Sequence, residues 1–306
     1  MIDIIIPAYN AQSTIEKTLL SICMQSIKDK IKVYIIDDNS DENYDYLEEY
    51  FKDKLDITIY RLKEKSGPGV ARNKGLEISN SELVMFLDSD DLLINEYSLR
   101  SLYYNSDNKD IIIGVEEQEL EDGKLLREYN SDRSLHAKLY RRSFLEKYNI
   151  KFPELYRHED CAFHEICLIN RPRMQFINEY VYLYTYNRKS LTHKNNKKED
   201  FKNYKDLCDA TTYMLNEGKK INGDKVVMIQ IIVGTLIYLY YKYQPYHHED
   251  YSSDMFEWIK PLVSYYLNNQ KYKREKLLED DYHNFSYFYD GIPFISWYDF
   301  IDKASK

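Results

Sequence analysis

The chain has 306 residues, of which 43% are hydrophobic, so it can bury a substantial core and is not a wholly disordered protein. Its 51 acidic and 42 basic side chains give a formal net charge of −9, which disfavours a general nucleic-acid binder. The four cysteines form no Cys-x-x-Cys pair, so we expect free thiols in a reducing compartment.

Short apolar runs alternate with helical patterns through the first hundred residues. The runs predict strands at residues 2–6, 33–36, 57–62 and 83–87. Apolar spacings of three or four predict a helix at residues 15–27. A polar helix follows at about residues 42–52, and a short helix runs through Ala71 and Leu76. The stretch 13–16 (Ser-Thr-Ile-Glu) also fits a capping box. This alternation predicts an α/β fold with a mostly parallel sheet flanked by helices.

The pattern changes after about residue 110. Strand-like stretches on either side of residues 121–123 (Glu-Asp-Gly) predict an antiparallel hairpin. Helical patterns at 143–148 and 160–168 are followed by extended patterns at 174–177 and 181–186. The chain then has helical patterns at residues 201–215, 225–243, 255–267 and 271–278. The change of period and a polar run at 194–198 predict two domains, residues 1–198 and a helical C-terminal extension at residues 199–306.

The helical extension carries an uncharged run at residues 226–241, which is only sixteen residues long. A bilayer span needs about 20 apolar residues, so this run predicts a buried helix and no transmembrane segment. Peripheral membrane association and a homo-oligomer interface are alternative uses of the tail helices. The N-terminal residues show no secretory signal, so we expect a cytoplasmic protein. The tyrosines after residue 200 fit ordinary packing or stacking on an acceptor sugar.

Polar and acidic groups follow three of the predicted strands. They are residues 7–10 (Pro-Ala-Tyr-Asn), 37–40 (Asp-Asp-Asn-Ser) and 88–91 (Asp-Ser-Asp-Asp). Ligands of open parallel sheets bind at the carboxyl ends of the strands. An Asp-x-Asp directly after a buried strand offers two oxygen ligands that suit Mg²⁺ or Mn²⁺ on a diphosphate. A single acidic turn is often only a solvated loop, but three such ends in order favour a ligand site.

These residues and their order resemble family 2 glycosyltransferases of the GT-A fold, which are inverting enzymes that use nucleotide-diphospho-sugars. The similarity runs through residues 4–10, 36–40, 69–76 and 86–91, and less sharply through 138–143 and 158–160. It covers residues 1–195 and leaves the helical tail outside.

The resemblance implies a nucleotide-sugar site in which Tyr9 stacks on the base and Asp38 accepts a hydrogen bond from the uracil edge. It assigns donor binding to Pro7, Ala8, Tyr9, Asn10, Asp38, Arg72, Asn73, Asp88 and Ser89. It also implies that Asp90 coordinates Mn²⁺ or Mg²⁺, with Asp91 as a possible helper. In several relatives a loop histidine completes the metal shell, and here that position is His193; the alternative is an exposed histidine.

The reaction needs a base that takes the proton of the acceptor hydroxyl, and a carboxylate within hydrogen-bond reach can do this. In the family an acidic pair at the head of a helix has this role, which here implies Asp160, with Glu159 as the alternative base. The structural alternative is that both acids only favour the helix N-terminus.

We therefore expect a metal-dependent inverting glycosyltransferase (hexosyl- or N-acetylhexosaminyl-) that moves a sugar from a UDP-sugar to a hydroxyl of a glycan or teichoic-acid-like polymer. One alternative is a catalytically silent glycan-binding or scaffold protein with the same fold. Another is a sugar-nucleotide pyrophosphorylase, but residues 7–10 lack the basic Gly-rich loop that such an enzyme needs after its first strand.

Overall fold

A computed structural model describes residues 1–128, 134–155, 157–187, 197–243, 252–269 and 297–306. The chain divides into two compact units, one of residues 1–167 with 171–194 and the other of residues 168–170 with 195–306. The assignment of catalysis to residues 1–198 and of an accessory role to residues 199–306 stays a prediction.

Nine strands of the described residues form one sheet in the first unit. They are β1 (Ile2–Ala8), β2 (Ile31–Asp37), β3 (Asp56–Arg61), β4 (Leu83–Phe86), β5 (Leu92–Leu93), β6 (Ile111–Glu119), β7 (Leu125–Glu128), β8 (Lys138–Arg141) and β9 (Met174–Tyr184). Their order is β3-β2-β1-β4-β8-β6-β9-β5, with β7 paired to β6.

The sheet is mixed, with its parallel part at the N-terminal side. Strand β1 pairs in parallel with β2 and β4, and β2 pairs in parallel with β3. Beyond β4, strand β8 pairs antiparallel with both β4 and β6, and β6 pairs in parallel with β9. The predicted α/β class is confirmed, and so is the hairpin of β6 and β7. The two extended segments predicted near residues 174–186 are one strand with a register shift opposite Val115.

Six α-helices accompany these strands in the part of the chain that the structure describes. They are α1 (Ile15–Cys23), α2 (Tyr46–Phe51), α3 (Pro68–Ile78), α4 (Ser98–Tyr104), α5 (Arg142–Lys147) and α6 (Glu159–Ile169). The prediction for α2 was too long at its start. The predicted capping box at α1 was wrong, because the helix starts without a side-chain cap and the Thr14 hydroxyl donates to the Ala11 carbonyl at 3.2 Å.

Close packing fixes α3 against the centre of the sheet. Strand β1 is buried along its whole length, as expected for a strand covered on both faces. A Cβ atom on Gly75 would lie 2.3 Å from Cγ2 of Ile5, so only glycine lets α3 approach β1 this closely. Arg142 and the backbone N–H of Ser81 both donate to one oxygen of the buried Asp3 carboxylate, at 3.1 and 2.6 Å.

The second unit is helical within the described residues. It contains α7 (Lys197–Lys220), α8 (Lys225–Tyr243), α9 (Ser252–Asn268) and α10 (Trp297–Ser305). The predicted helix at residues 271–278 lies outside the described residues. Of the described helices, α8 alone is long and apolar enough to cross a membrane, over Lys225–Lys242, and 44% of that window is buried. Length and composition do not distinguish a membrane span from the core helix of a helical unit.

Candidate active site

The carboxyl ends of β1, β2 and β4 meet at one edge of the sheet, as the sequence predicts. The backbone N–H of Asp38, just after β2, donates to the carbonyl of Ala8 at the end of β1, at 2.8 Å. The N–H of Leu87, just after β4, donates to the carbonyl of Ile5 at 3.1 Å. These ladder contacts place residues 7–10, 37–40 and 88–91 side by side, which is the arrangement that a shared ligand site requires.

Tyr9 and Asn10 lie on the exposed rim of this edge. The Tyr9 ring is 42% exposed, and the ammonium of Lys65 lies 3.5 Å from the ring centroid in a cation–π contact. Asn10 has a left-handed backbone with φ 49°, and its side-chain amide exchanges two hydrogen bonds of 2.9 Å with Asp41. Tyr9 therefore presents an exposed aromatic ring at this edge, while Asn10 shapes the loop that follows β1.

The Asp38 carboxylate is buried and held by the turn that starts α3. Its two oxygens accept the backbone N–H groups of Ser66 and Gly67 at 2.6 and 2.9 Å. Gly67 adopts φ 92°, a conformation that favours glycine, so it can present its N–H here without a Cβ penalty. Each carboxylate oxygen keeps further lone pairs beyond the one that accepts from this turn.

Arg72 and Asn73, which the resemblance places beside the nucleotide, both contact other parts of the protein. The side chain is only 5% exposed, and its two terminal nitrogens donate to Asp88 at 2.8 Å and to Glu159 at 2.5 Å. Burial opposes the charged form, but these carboxylates raise the pKa of Arg72 above its usual value. Both ends of the Asn73 amide bond to the backbone of Phe152 at 2.9 Å. Arg72 and Asn73 thus contact protein groups in this structure.

The carboxylates around Arg72 differ in protonation behaviour. Burial raises the pKa of Glu159 to about 7, against the opposing effect of Arg72 and with a contribution from Asp160. Burial also favours the neutral form of Asp88, but Arg72 and His136 outweigh it and lower the pKa of that carboxyl below its usual range. Asp88 is therefore a fixed negative charge at neutral pH.

His136 was missed in the sequence and lies beside Asp88. Its Nε2 is 3.8 Å from an Asp88 oxygen, its Nδ1 is 3.1 Å from Glu116, and its ring stacks on Tyr182 with a centroid distance of 4.6 Å. Burial disfavours its charge, but the nearby carboxylates of Asp88 and Glu116 raise its pKa to about 10. No local pattern marks His136, because its partners come from β6, β9 and the end of β4.

The other two aspartates of the motif after β4 face different partners. Asp91 is 1% exposed and accepts hydrogen bonds from the Tyr182 hydroxyl at 2.6 Å and the Thr185 N–H at 2.9 Å. Burial raises its pKa well above the usual range. Asp90 accepts a hydrogen bond from the Asn187 amide at 2.8 Å, and burial, aided by Asp88, raises its pKa. Ser89 is half-buried between these aspartates and Asp88.

A divalent cation fits the acidic side of the site. One oxygen each of Asp88 and Asp91 and one ring nitrogen of His136 lie within 4.8 Å of one another. Carboxylate oxygens with one neutral imidazole suit Mn²⁺, and the carboxylates also suit Mg²⁺. His136 is protonated at neutral pH without a cation, so it would have to release a proton to become a ligand. Asp90, the predicted ligand, is not in this group, and the predicted ligand His193 lies outside the described residues.

The predicted catalytic pair opens helix α6. Asp160 is half-buried, and its carboxylate makes no hydrogen bond or ion pair with any residue that the structure describes. Glu159 is buried and engaged by Arg72. The two adjacent acids therefore differ in exposure, and Asp160 is the more exposed of the two.

Comparison with known proteins identifies the family. Residues 3–163 match the family model described as glycosyl transferase family 2. The poly(ribitol-phosphate) β-N-acetylglucosaminyltransferase TarP of Staphylococcus aureus is 31% identical over 201 residues, which are 59% of this chain and 61% of TarP. A poly(ribitol-phosphate) β-glucosyltransferase of Bacillus spizizenii is 28% identical over 61% of this chain and 32% of its own length. The chain therefore spans less than two thirds of the length of these relatives.

Solved structures show the same fold. Residues 1–349 of S. aureus TarS in complex with UDP superpose with a TM-score of 0.65 at 20% identity, covering 86% of this chain and 80% of that one. A mannosyltransferase of Pyrobaculum calidifontis, in complex with GDP-Man and Mn²⁺, superposes with a TM-score of 0.57 at 14% identity, covering 99% and 85%. These superpositions confirm the expected GT-A architecture. The family model matches more than half of the chain, so the chain belongs to glycosyl transferase family 2.

Proposed function

We propose that the protein transfers a hexosyl or N-acetylhexosaminyl group from a UDP-sugar to a hydroxyl of a glycan or teichoic-acid-like polymer, with inversion at the anomeric carbon. One observation carries the proposal: the Arg72 guanidinium joins Asp88, at the donor end of the sheet, to Glu159, the neighbour of the unengaged Asp160. The Arg72 guanidinium thus links Asp88, on the proposed donor side, to Glu159, on the proposed acceptor side.

The proposed donor side uses the rim and the turn before α3. Tyr9 offers an exposed aromatic face to a nucleotide base, and Asp38 offers a fixed carboxylate to its hydrogen-bonding edge. Relatives support a uridine donor, because one TarS structure is a complex with UDP and another a complex with UDP-GlcNAc. TarP is named for transfer to poly(ribitol-phosphate), which supports a polymer acceptor.

The chemistry requires charge neutralisation on one side and a base on the other. Asp88, Asp91 and His136 would hold Mn²⁺ or Mg²⁺, and the bound cation neutralises charge that develops on the leaving diphosphate. Asp90 and His193 remain proposed ligands from the family resemblance. Asp160 would accept the proton of the acceptor hydroxyl, and its partial exposure leaves it accessible to that hydroxyl.

Release of UDP from a panel of UDP-sugars in the presence of Mn²⁺ tests this function. Asp160→Asn keeps the size of the side chain but cannot take a proton, so we expect a kcat loss of about 100-fold or more with a nearly unchanged donor KM. Asp88→Asn should weaken both donor use and the dependence on Mn²⁺. The matched control is Asp53→Asn, an exposed acid after α2 and outside the site, which should retain wild-type turnover.

Equal turnover by all of these proteins would reject the catalytic assignment. Binding of a glycan by a wild type that has no affinity for UDP would favour the silent glycan-binding protein instead. Formation of a UDP-sugar from UTP and a sugar phosphate would favour the pyrophosphorylase.

A further inference from the structure

One face of helix α3 contacts the segment that leads into α6. Gly69, Arg72 and Asn73 are spaced by three and four residues, so they lie on the same side of the helix. Each of them contacts the chain between residues 152 and 159. Helix α3 follows the turn that holds the Asp38 carboxylate. The same helix therefore also packs against the predicted catalytic segment.

The contact at Gly69 is closer than any side chain permits. A Cβ atom at this position would lie 2.6 Å from the carbonyl oxygen of Pro153 and 3.2 Å from Cγ of Glu159. The backbone of the segment before α6 thus rests directly on the first turn of α3. Glycine is required here by the approach of another backbone, not by its own conformation.

Arg72 and Asn73 add directional bonds to this packing. The planar guanidinium reaches Asp88 after β4 and Glu159 at the start of α6 with two separate nitrogens. Its carbon lies 5.5 Å from the ring centroid of Phe152, whose backbone N–H and carbonyl both bond to the Asn73 amide. The Phe152 ring stacks on Phe163 of α6 with a centroid distance of 4.0 Å.

We propose that Arg72 and Asn73 are positioning residues that hold the base Asp160 at a set distance from Asp88, and that neither is a ligand of the donor diphosphate. The inference rests on the proposed function and assigns these two residues a different role within it. Arg72 acts through Asp88 and Glu159, and Asn73 acts through Phe152. A base displaced by about 1 Å loses about 100-fold in rate, so such positioning has a measurable effect on kcat.

Variants of Arg72 distinguish the two roles. Arg72→Lys keeps the positive charge but cannot span both carboxylates with two nitrogens. If Arg72 positions the base, kcat falls about 100-fold while UDP affinity by calorimetry and donor KM change less than about threefold. If Arg72 binds the diphosphate, UDP affinity and donor KM worsen at least about tenfold, which overturns the proposal. Arg173 is an exposed arginine that pairs with the buried Asp110, so Arg173→Lys is the matched control and should keep wild-type kcat and UDP affinity.

A double mutant tests whether Arg72 acts through Asp160. The kcat loss caused by Arg72→Lys should shrink to less than about threefold in an Asp160→Asn background, because a residue that acts through the base has nothing left to position. Full additivity of the two losses would contradict the proposal. Asn73→Ser provides a second route if Arg72→Lys does not fold, with the same expected split between kcat and UDP affinity.

The outcomes also separate this inference from the proposed function. A wild type that binds UDP and turns over a UDP-sugar, with an Arg72→Lys variant that loses UDP affinity, refutes only the positioning role. A wild type that neither binds UDP nor consumes any donor refutes both.

Discussion

At the scale of single residues, adjacent acids have different chemistry because their surroundings differ. Glu159 and Asp160 are neighbours in the chain, yet Glu159 is buried against Arg72 while Asp160 is half-exposed. Burial raises the pKa of Glu159 to about 7, so near neutral pH this side chain is partly protonated. Its contact with Arg72 makes Glu159 an anchor of the helix, in keeping with the proposal that Asp160 is the base.

A buried histidine on the same helix predicts how stability depends on pH. His164 is 1% exposed, its Nδ1 lies 3.0 Å from the Tyr140 hydroxyl, and burial, aided by Lys138, lowers its pKa well below the ordinary 6.5. Below pH 6.5 the unfolded chain therefore binds a proton at His164 that the folded chain does not bind. This contribution to stability is complete above that pH and is lost as the pH falls.

Replacing His164 with glutamine removes this titration. We expect the free energy of unfolding of His164→Gln, relative to wild type, to improve by about 1.4 kcal/mol per pH unit as the pH falls below about 6.5. Urea unfolding of both proteins between pH 7.5 and pH 5 measures the difference. Two parallel pH profiles would show that the folded protein protonates His164 as readily as the unfolded chain does.

At the scale of elements, two glycines of α3 face different neighbours. Gly69 meets the segment before α6, and Gly75 meets Ile5 of β1. Overpacking of either site costs about 1–3 kcal/mol of stability. We expect Gly75→Ala to lower the melting temperature without changing the kcat of the folded protein, whereas Gly69→Ala lowers both, because it displaces the head of α6. Thermal unfolding and kcat on the same preparations test this; equal kcat in both variants would contradict it.

The sequence predicted the elements around the parallel strands well. It predicted the ends of the helices and the pairing of the later strands poorly. Apolar runs and period identified β1 to β4, the hairpin and most helices, because burial on both faces leaves a local signature. The helix predicted at residues 42–52 shortens to Tyr46–Phe51, and the predicted cap of α1 is absent. The pairing of β6 with β9 joins segments sixty residues apart in the chain, and local patterns carry no information on such pairs.

At the scale of the whole molecule, the composition of α8 in the second unit fits both a core helix and a membrane span. Helix α8 is apolar enough to cross a bilayer, yet Ile229, Ile232 and Leu236 are buried, and the hydroxyls of Thr211 and Thr235 pair at 3.1 Å between α7 and α8. These contacts are those of a core helix. The sequence-based prediction of a buried helix agrees with this burial.

A pair of substitutions in α8 tests its role as a core helix. Leu236 is fully buried, so Leu236→Ala should reduce the free energy of unfolding by about 2–5 kcal/mol. Gln230 is exposed on the same helix, and Gln230→Ala should change it by less than about 0.5 kcal/mol. Denaturant unfolding of the detergent-free protein measures both values. Equal, small effects would show that α8 does not pack in a protein core.

The sequence alone determined which strands are buried, that three of them end in polar or acidic groups in a set order, and which family they indicate. These features depend on local hydrophobic patterns and on residue order, both of which can be read directly from the amino-acid sequence. The tertiary structure alone decided that Arg72 bonds to Asp88 and Glu159, that His136 joins the acidic group, and that burial raises the pKa of Glu159. Partners and pKa values depend on distances through space and on desolvation, which arise only when separate strands and helices come together.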